Sequence, residues 1–273
     1  RVAEDKDFEL LKIYLSRNDG WRLEYETGKT AVWTRIPPTD AETLVNGCKS
    51  SDFKMIRVKT TFPDIPASVL YDVLHDPEYR KTWDKFMLES KEIGHLNPNN
   101  NISYYSLACP APVKNRDFVI QSSWLETPKE YMIINHSVFH RDFPTRKGFV
   151  RGTSYLTGFH IKTAGQGCEL GYLTHSNPKG NLPSWVSNKL SSNFAPKLIR
   201  KLHKACQKYP SWKSQHGKAQ KPWLFPELIA SPRINVKDCN KDTLADTDSS
   251  SSPEESLIEE LETCHIENFS DTE

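Results

Sequence analysis

The chain has 273 residues, of which 37% are hydrophobic and 26% charged, and its formal net charge is +1 at pH 7. Such a chain holds either one large domain with a tail or two small domains, with enough apolar residues for a sizeable core. No stretch approaches about 18 consecutive apolar residues, which excludes a transmembrane helix.

The small net charge conceals a division. Residues 227–273 carry 13 acidic and 3 basic side chains, a net of −10, so residues 1–226 carry 22 acidic and 33 basic ones, a net of +11. Residues 177–226 hold ten Lys or Arg and no Asp or Glu. A basic surface of this kind attracts phosphate, on lipid headgroups or on nucleic acid. The N-terminal RVAEDKDFELL lacks the basic start and apolar run of a secretory signal. Cys48, Cys109, Cys168, Cys206, Cys239 and Cys264 lie far apart with no C-x-x-C pair. They read as reduced thiols of a cytoplasmic protein without a zinc site.

In chain order, residues 5–17 set Phe8, Leu11, Tyr14 and Leu15 on one helical stripe. WRLEYETGKTAVWTRI alternates through Trp21, Leu23 and Tyr25, breaks at Thr27-Gly28-Lys29, and predicts two strands joined by a turn. Residues 53–62 predict a further strand. Pro66 opens a helix with Val69, Leu70, Val73 and Leu74 on its apolar face, and Pro77 divides it from a second short helix, EYRKTWDKF. Residues 102–109, 117–126, 130–138, 149–158 and 168–176 read as strands. From Pro183 to Tyr209 a long helix is predicted, with Leu190, Phe194, Leu198, Leu202 and Cys206 at spacing four and a kink at Pro196. Beyond about residue 230, DTLADTDSSSSPEES has nothing to pack and predicts disorder. The fold class is therefore α+β, with residues 1–226 as one domain and 227–273 as an acidic, Ser-rich tail.

Catalytic signatures are scarce. There is no G-x-S-x-G, H-E-x-x-H or P-loop. GQG at 165–167 reads as a hairpin turn. His75-Asp76 reads as a helix end before Pro77, because helix neighbours point about 100° apart and make a poor base–orienter pair. Tyr104-Tyr105 read as strand aromatics. The basic helix is either a solvated amphipathic face or an interfacial one. The strands lack the basic interleaving of an RNA-stacking sheet, so no nucleic-acid partner is expected.

LYDVLHDPEYRKTWD, then CPAPVKNRDFV, then NPKGNLPSWVSNK and a terminal ACQKYPSWK resemble the START lipid-transfer domain, over roughly residues 5–213. The motifs lean toward the family's phosphatidylcholine and phosphatidylethanolamine carriers. The resemblance implies a helix-grip fold, a curved antiparallel sheet around a long C-terminal helix with an internal lipid cavity. It places Arg80 on the lipid phosphate, with Asp84 one helical turn on to hold it; the alternative is an Arg80–Asp84 ion pair without a ligand. Trp83 packs the helix. Tyr105, Phe118 and Tyr155 match aromatic positions of a choline cage, where cation–π contacts are worth about 0.5–2 kcal/mol each. Ile120 stands where a phosphatidylcholine carrier has Tyr, and Thr157 where it has a lipid-reaching Gln. The thinner cage implies a pocket that also accepts ethanolamine.

The function so implied is exchange of one phospholipid between membranes by a non-enzymatic, cofactor-free monomer. A lipid sensor signalling through its tail and a cavity enzyme are the alternatives. Expected membrane contacts are Arg141, Phe143, Arg146 and Lys147 in one loop, and Lys197, Arg200, Lys201, Lys204 and Lys208 on the helix, favoured by anionic lipid. Ser251, Ser252, Ser256 and Ser270, like Thr243, each have an acid three residues later and suit an acidophilic kinase.

Overall fold

A computed structural model describes residues 1–37, 53–109, 113–180, 195–216 and 221–239. The elements are α1 (Asp5–Ser16), β1 (Arg22–Thr27), β2 (Thr30–Arg35), β3 (Met55–Phe62), α2 (Ala67–His75), α3 (Pro77–Trp83), β4 (Met87–Asn97), β5 (Asn100–Leu107), β6 (Asn115–Glu126), β7 (Glu130–Ser137), β8 (Phe149–Arg151), β9 (Thr153–Ala164), β10 (Gly167–Asn177) and α4 (Ala195–Gln215).

The strands form one sheet in the order β1-β2-β3-β10-β9-β7-β6-β5-β4, with β8 parallel to β6. All other pairs are antiparallel, and β1 and β4 are edges, so the sheet is not closed. Local chemistry sets the turns: Gly28 and Gly165 take positive φ of 50° and 62°, which costs a residue without Cβ little.

Alternation then sorts side chains onto two faces. On the outer face α1 lays Phe8, Leu11 and Leu15 against Met55, Met132, Ile134, Leu156 and Leu173. Gly158 and Gly171 make room, since a Cβ there would stand 2.7 Å from a Leu11 methyl and 2.9 Å from a Leu15 methyl. On the inner face α2 and α4 cover Trp124, Ile133, Ile161 and Leu170. Asp76 ties these helices together. It accepts from Tyr79 N at 3.0 Å as the cap of α3, from Tyr209 Oη at 3.1 Å and from Lys213 Nζ at 2.7 Å.

Several elements differ from expectation. EYRKTWDKF ends as a helix at Trp83, and β4 follows where no strand was predicted. This edge strand is rich in charge and carries three register irregularities, which hides its period. The strand expected over 149–158 breaks at Gly152 into β8 and β9; Phe118 lies 2.3 Å from where a Cβ would stand. The long helix runs through Pro210 to Gln215 instead of stopping at Tyr209, because Tyr209, Trp212 and Lys213 still find partners on α3 and Asp76. Its part before Ala195, with Leu190 and Phe194, lies outside the described residues, and Pro196 stands at their border. Leu198 is 42% exposed while Leu202 and Cys206 are buried. A spacing of four drifts about 40° per step, so the buried face follows Ile199, Leu202, Cys206 and Tyr209 instead.

The packed unit extends over Arg1–Asn240, beyond the charge boundary at 227. Lys221 and Trp223 both bond the Asp72 carboxylate, and Trp124 Nε1 donates to the Trp223 carbonyl at 3.2 Å. Further on, His95 N donates to Pro232 O and Ile234 N to His95 O, both at 2.9 Å, which covers part of the β4 edge.

Candidate functional site

Arg80 leaves the last turn of α3 beneath the inner face. Its Nε donates to Asp84 Oδ2 at 3.1 Å, the spacing of one helical turn. Asp84 is fixed in turn: Tyr105 Oη donates to the same oxygen at 3.3 Å and Phe86 N to Oδ1 at 3.3 Å. The guanidinium lies 5.3 Å from the Tyr105 ring centre and 5.8 Å from that of Trp83. Burial works against the Arg80 charge, but Tyr105 and Asp84 outweigh it and its pKa rises. Burial likewise pushes the Tyr105 and Tyr172 hydroxyls up, keeping both neutral donors.

Arg80 is deep in the protein, yet 33% of its side-chain surface is accessible and among the described residues its ion-pair partner is Asp84. Accessible surface at such depth faces unfilled space. The same half-buried state recurs along the inner face at Tyr105, Phe118, Ile120, Asn135, Thr157, Phe159, Tyr172 and Thr174. Register makes this one surface: Tyr105 pairs with Phe118, Asn135 with Thr157, Thr157 with Thr174, and Phe159 with Tyr172. It is a concavity lined by rings, hydroxyls and one arginine.

The structure thus brings Arg80, Asp84, Tyr105, Phe118 and Thr157 to this face. It does not bring Tyr155. At a β-bulge Tyr155 and Leu156 together oppose His175, so Tyr155 turns to the other side and stacks on the His175 ring at 4.7 Å, nearly fully buried. Sequence reasoning missed Asn135, Ser154, Tyr172, Thr174 and Ser176. Tyr172, Thr174 and Ser176 recur at every second position, but a polar face of that period reads equally as solvent-facing.

The loop expected to touch membranes is largely engaged. Phe143 packs on Tyr104 and His140 at 5.9 and 5.6 Å between ring centres. Arg146 donates to Glu89 at 2.6 Å and to Tyr104 Oη at 3.0 Å. Arg141 lies 3.8 Å from Asp142 and from Asp238, and Lys147 is exposed. On α4, Lys197, Arg200, Lys201, Lys204 and Lys208 are all exposed, a continuous basic face beside Leu198. Ser251, Ser252, Ser256 and Ser270 lie outside the described residues, as do Cys48 and Cys264. Cys109, Cys168, Cys206 and Cys239 are free thiols. No helix among the described residues is long and apolar enough to cross a membrane.

The START domain family profile matches residues 1–211. START domain-containing protein 10 of Mus musculus is 40% identical over 239 residues, 87% of this chain and 79% of that protein. The phosphatidylcholine transfer protein of Homo sapiens is 25% identical over 195 residues, 69% of this chain and 85% of that protein. The crystal structure of human STARD10 superposes with a TM-score of 0.79 at 39% identity, covering 87% of this chain and 94% of that one. Human StAR-related lipid transfer protein 5 shares the fold, with a TM-score of 0.64 at 20% identity over 75% of this chain and 95% of that one. A profile match over most of the chain, and a relative this similar over most of its length, establish that the chain belongs to the START domain family.

Proposed function

We propose that the chain binds a single phosphatidylcholine or phosphatidylethanolamine in the inner-face concavity and exchanges it between membranes. The observation that carries this reading is Arg80: a deep guanidinium, held from one side by Asp84 and flanked by the Tyr105 and Trp83 rings, with 33% of its side-chain surface still accessible. A buried cation needs an anion with several acceptors, and a phosphodiester supplies them. The names of the relatives, a phosphatidylcholine transfer protein among them, point to the same cargo class.

Transfer then turns on hiding acyl chains. Two chains hold roughly 30 methylenes at about 0.8 kcal/mol each, on the order of 20 kcal/mol for a bare lipid in water. An apolar cavity offsets this, and release belongs at a membrane surface. The exposed basic face of α4 is the natural docking surface, each cation contributing about 1 kcal/mol near anionic lipid. The engaged state of Phe143 and Arg146 favours α4 over the 140–148 loop in that role. Phosphates added to the acidic tail would compete with the membrane for these cations; deleting residues 241–273 should then strengthen binding to anionic vesicles at low salt.

The test is mass spectrometry of lipid retained by the purified chain after incubation with mixed phospholipid vesicles, beside Arg80→Ala. A glycerophospholipid held by the wild type and lost from the folded variant supports the reading. Folded wild type without phospholipid refutes it.

A further inference from the structure

Four hydroxyls on the inner face of β9 and β10 close into a ring. Ser154 Oγ lies 3.1 Å from Thr157 Oγ1, which lies 2.9 Å from Thr174 Oγ1. Thr174 Oγ1 lies 3.1 Å from Ser176 Oγ, and Ser176 Oγ donates to Ser154 Oγ at 3.3 Å. The bulge that turns Tyr155 away is what builds the ring. It sets Ser154 opposite Ser176 and returns Ser154 to the same side as Thr157.

A hydroxyl has one proton and two acceptor lone pairs. Four contacts among four hydroxyls consume all four protons, and the direction of the Ser176 bond fixes the circuit. What the ring turns to its surroundings is lone pairs. Beside it, Asn135 faces Thr157 across the β7–β9 pair, and its buried Oδ1 has no hydrogen-bond partner. Tyr172 lies on the same face of β10 as Thr174, two residues before it, and pairs with Phe159 on β9.

We infer that the hydroxyl ring and Asn135 Oδ1 form an acceptor-only subsite for a primary ammonium, which biases the concavity toward ethanolamine over choline headgroups. The inference rests on the reading that a phospholipid lies here with its phosphate at Arg80. A primary ammonium brings three N–H donors, one for Asn135 Oδ1, which otherwise stays unpaired, and the others for second lone pairs of the ring. A quaternary ammonium brings none, so it desolvates the ring without compensation. It needs aromatic faces instead; of the rings on this face Tyr105 already faces Arg80 and Phe159 and Tyr172 pack on each other at 5.0 Å between centres, while Tyr155 is turned onto His175.

The experiment offers the full chain vesicles with equal amounts of phosphatidylethanolamine, its N-methyl and N,N-dimethyl derivatives and phosphatidylcholine, with identical acyl chains. The lipid retained is read by mass spectrometry for the wild type, Thr157→Val and Asn135→Leu. Retention by the wild type falls stepwise as methyl groups replace N–H. Opening the ring with Thr157→Val reduces the preference for ethanolamine by roughly tenfold, the worth of one or two ordinary hydrogen bonds. Thr174→Val repeats the test from the other strand if Thr157→Val does not fold. A flat headgroup series in a lipid-loaded wild type, or the wild-type order kept in a fully loaded Thr157→Val, overturns the subsite and leaves the phospholipid reading standing. Wild type without any phospholipid overturns both.

Discussion

The two faces of the one sheet solve different problems with the same strands. The outer face is filled: α1 presses Leu11 and Leu15 into notches at Gly158 and Gly171, and the buried Arg57 donates to the Tyr14 and Arg17 carbonyls at the end of α1. Among the described residues the inner face is filled at its α2–α4 end, where Trp124, Ile133, Ile161 and Leu170 meet the helices. Past that end, Arg80, Tyr105, Asn135, Thr157 and Tyr172 are half-buried. Close packing supplies stability; unfilled, polar-lined space supplies a place for a ligand at some cost in stability. Substitutions on the two faces should therefore separate stability from loading.

The largest effect belongs to the filled face. Leu11→Ala removes a fully buried side chain against glycine backbone that cannot collapse into the gap, and should cost about 2–5 kcal/mol in denaturant unfolding. The folded fraction should still retain phospholipid. Loss of lipid from the folded fraction would break the separation.

Arg80→Met is the counterpart on the open face. Removing a charge-assisted contact of about 1.5–3 kcal/mol should lower phospholipid retention by ten- to a hundredfold. Unfolding by denaturant should move much less than in Leu11→Ala. An equal loss of stability in both variants would mean that Arg80 serves packing.

His75 sharpens the boundary between packed and open regions of the inner face. Its ring lies 4.3 Å from Tyr71, 5.3 Å from Trp124 and 5.6 Å from Trp223 between centres. Nδ1 donates to Tyr71 O at 3.0 Å, and burial lowers the pKa from 6.5 to about 4. Below pH 6.5 the unfolded chain takes up a proton that the folded chain refuses, so stability falls as pH drops from 6.5 toward 4. The loss at pH 5 is roughly 2 kcal/mol. His75→Phe should lack this part of the pH dependence. His136, held near 3 by burial, contributes to both proteins and cancels in their difference. Parallel pH profiles for wild type and His75→Phe would contradict the burial of His75 among these rings.

The smallest effect is expected at the surface of α4. Lys201→Glu with Lys204→Glu should slow transfer between anionic vesicles several-fold while leaving retained lipid unchanged. Both side chains are exposed, with Lys201 Nζ 5.2 Å above the Phe86 ring. Equal rates for wild type and variant would remove α4 as the docking surface.

Much of this was legible in sequence because it depends on neighbours along the chain. The α1 stripe, the β1–β2 turn at Gly28, the Asp76-Pro77 break and the Arg80–Asp84 pair follow from spacing and capping chemistry. The START resemblance carried the fold class for the same reason: its motifs are local. Three-dimensional pairing decided the rest. β4 was hidden because an edge strand can carry charge, and the α4 stripe drifted because spacing four is not the helical period. Which face of β10 would be interior could not be read from Tyr172, Thr174 and Ser176, since alternation marks two faces without saying which one is covered. A single extra residue in β9 turned Tyr155 from the concavity and closed four hydroxyls into a ring. A bulge is set by the partner strand's register, and register is a property of the assembled sheet.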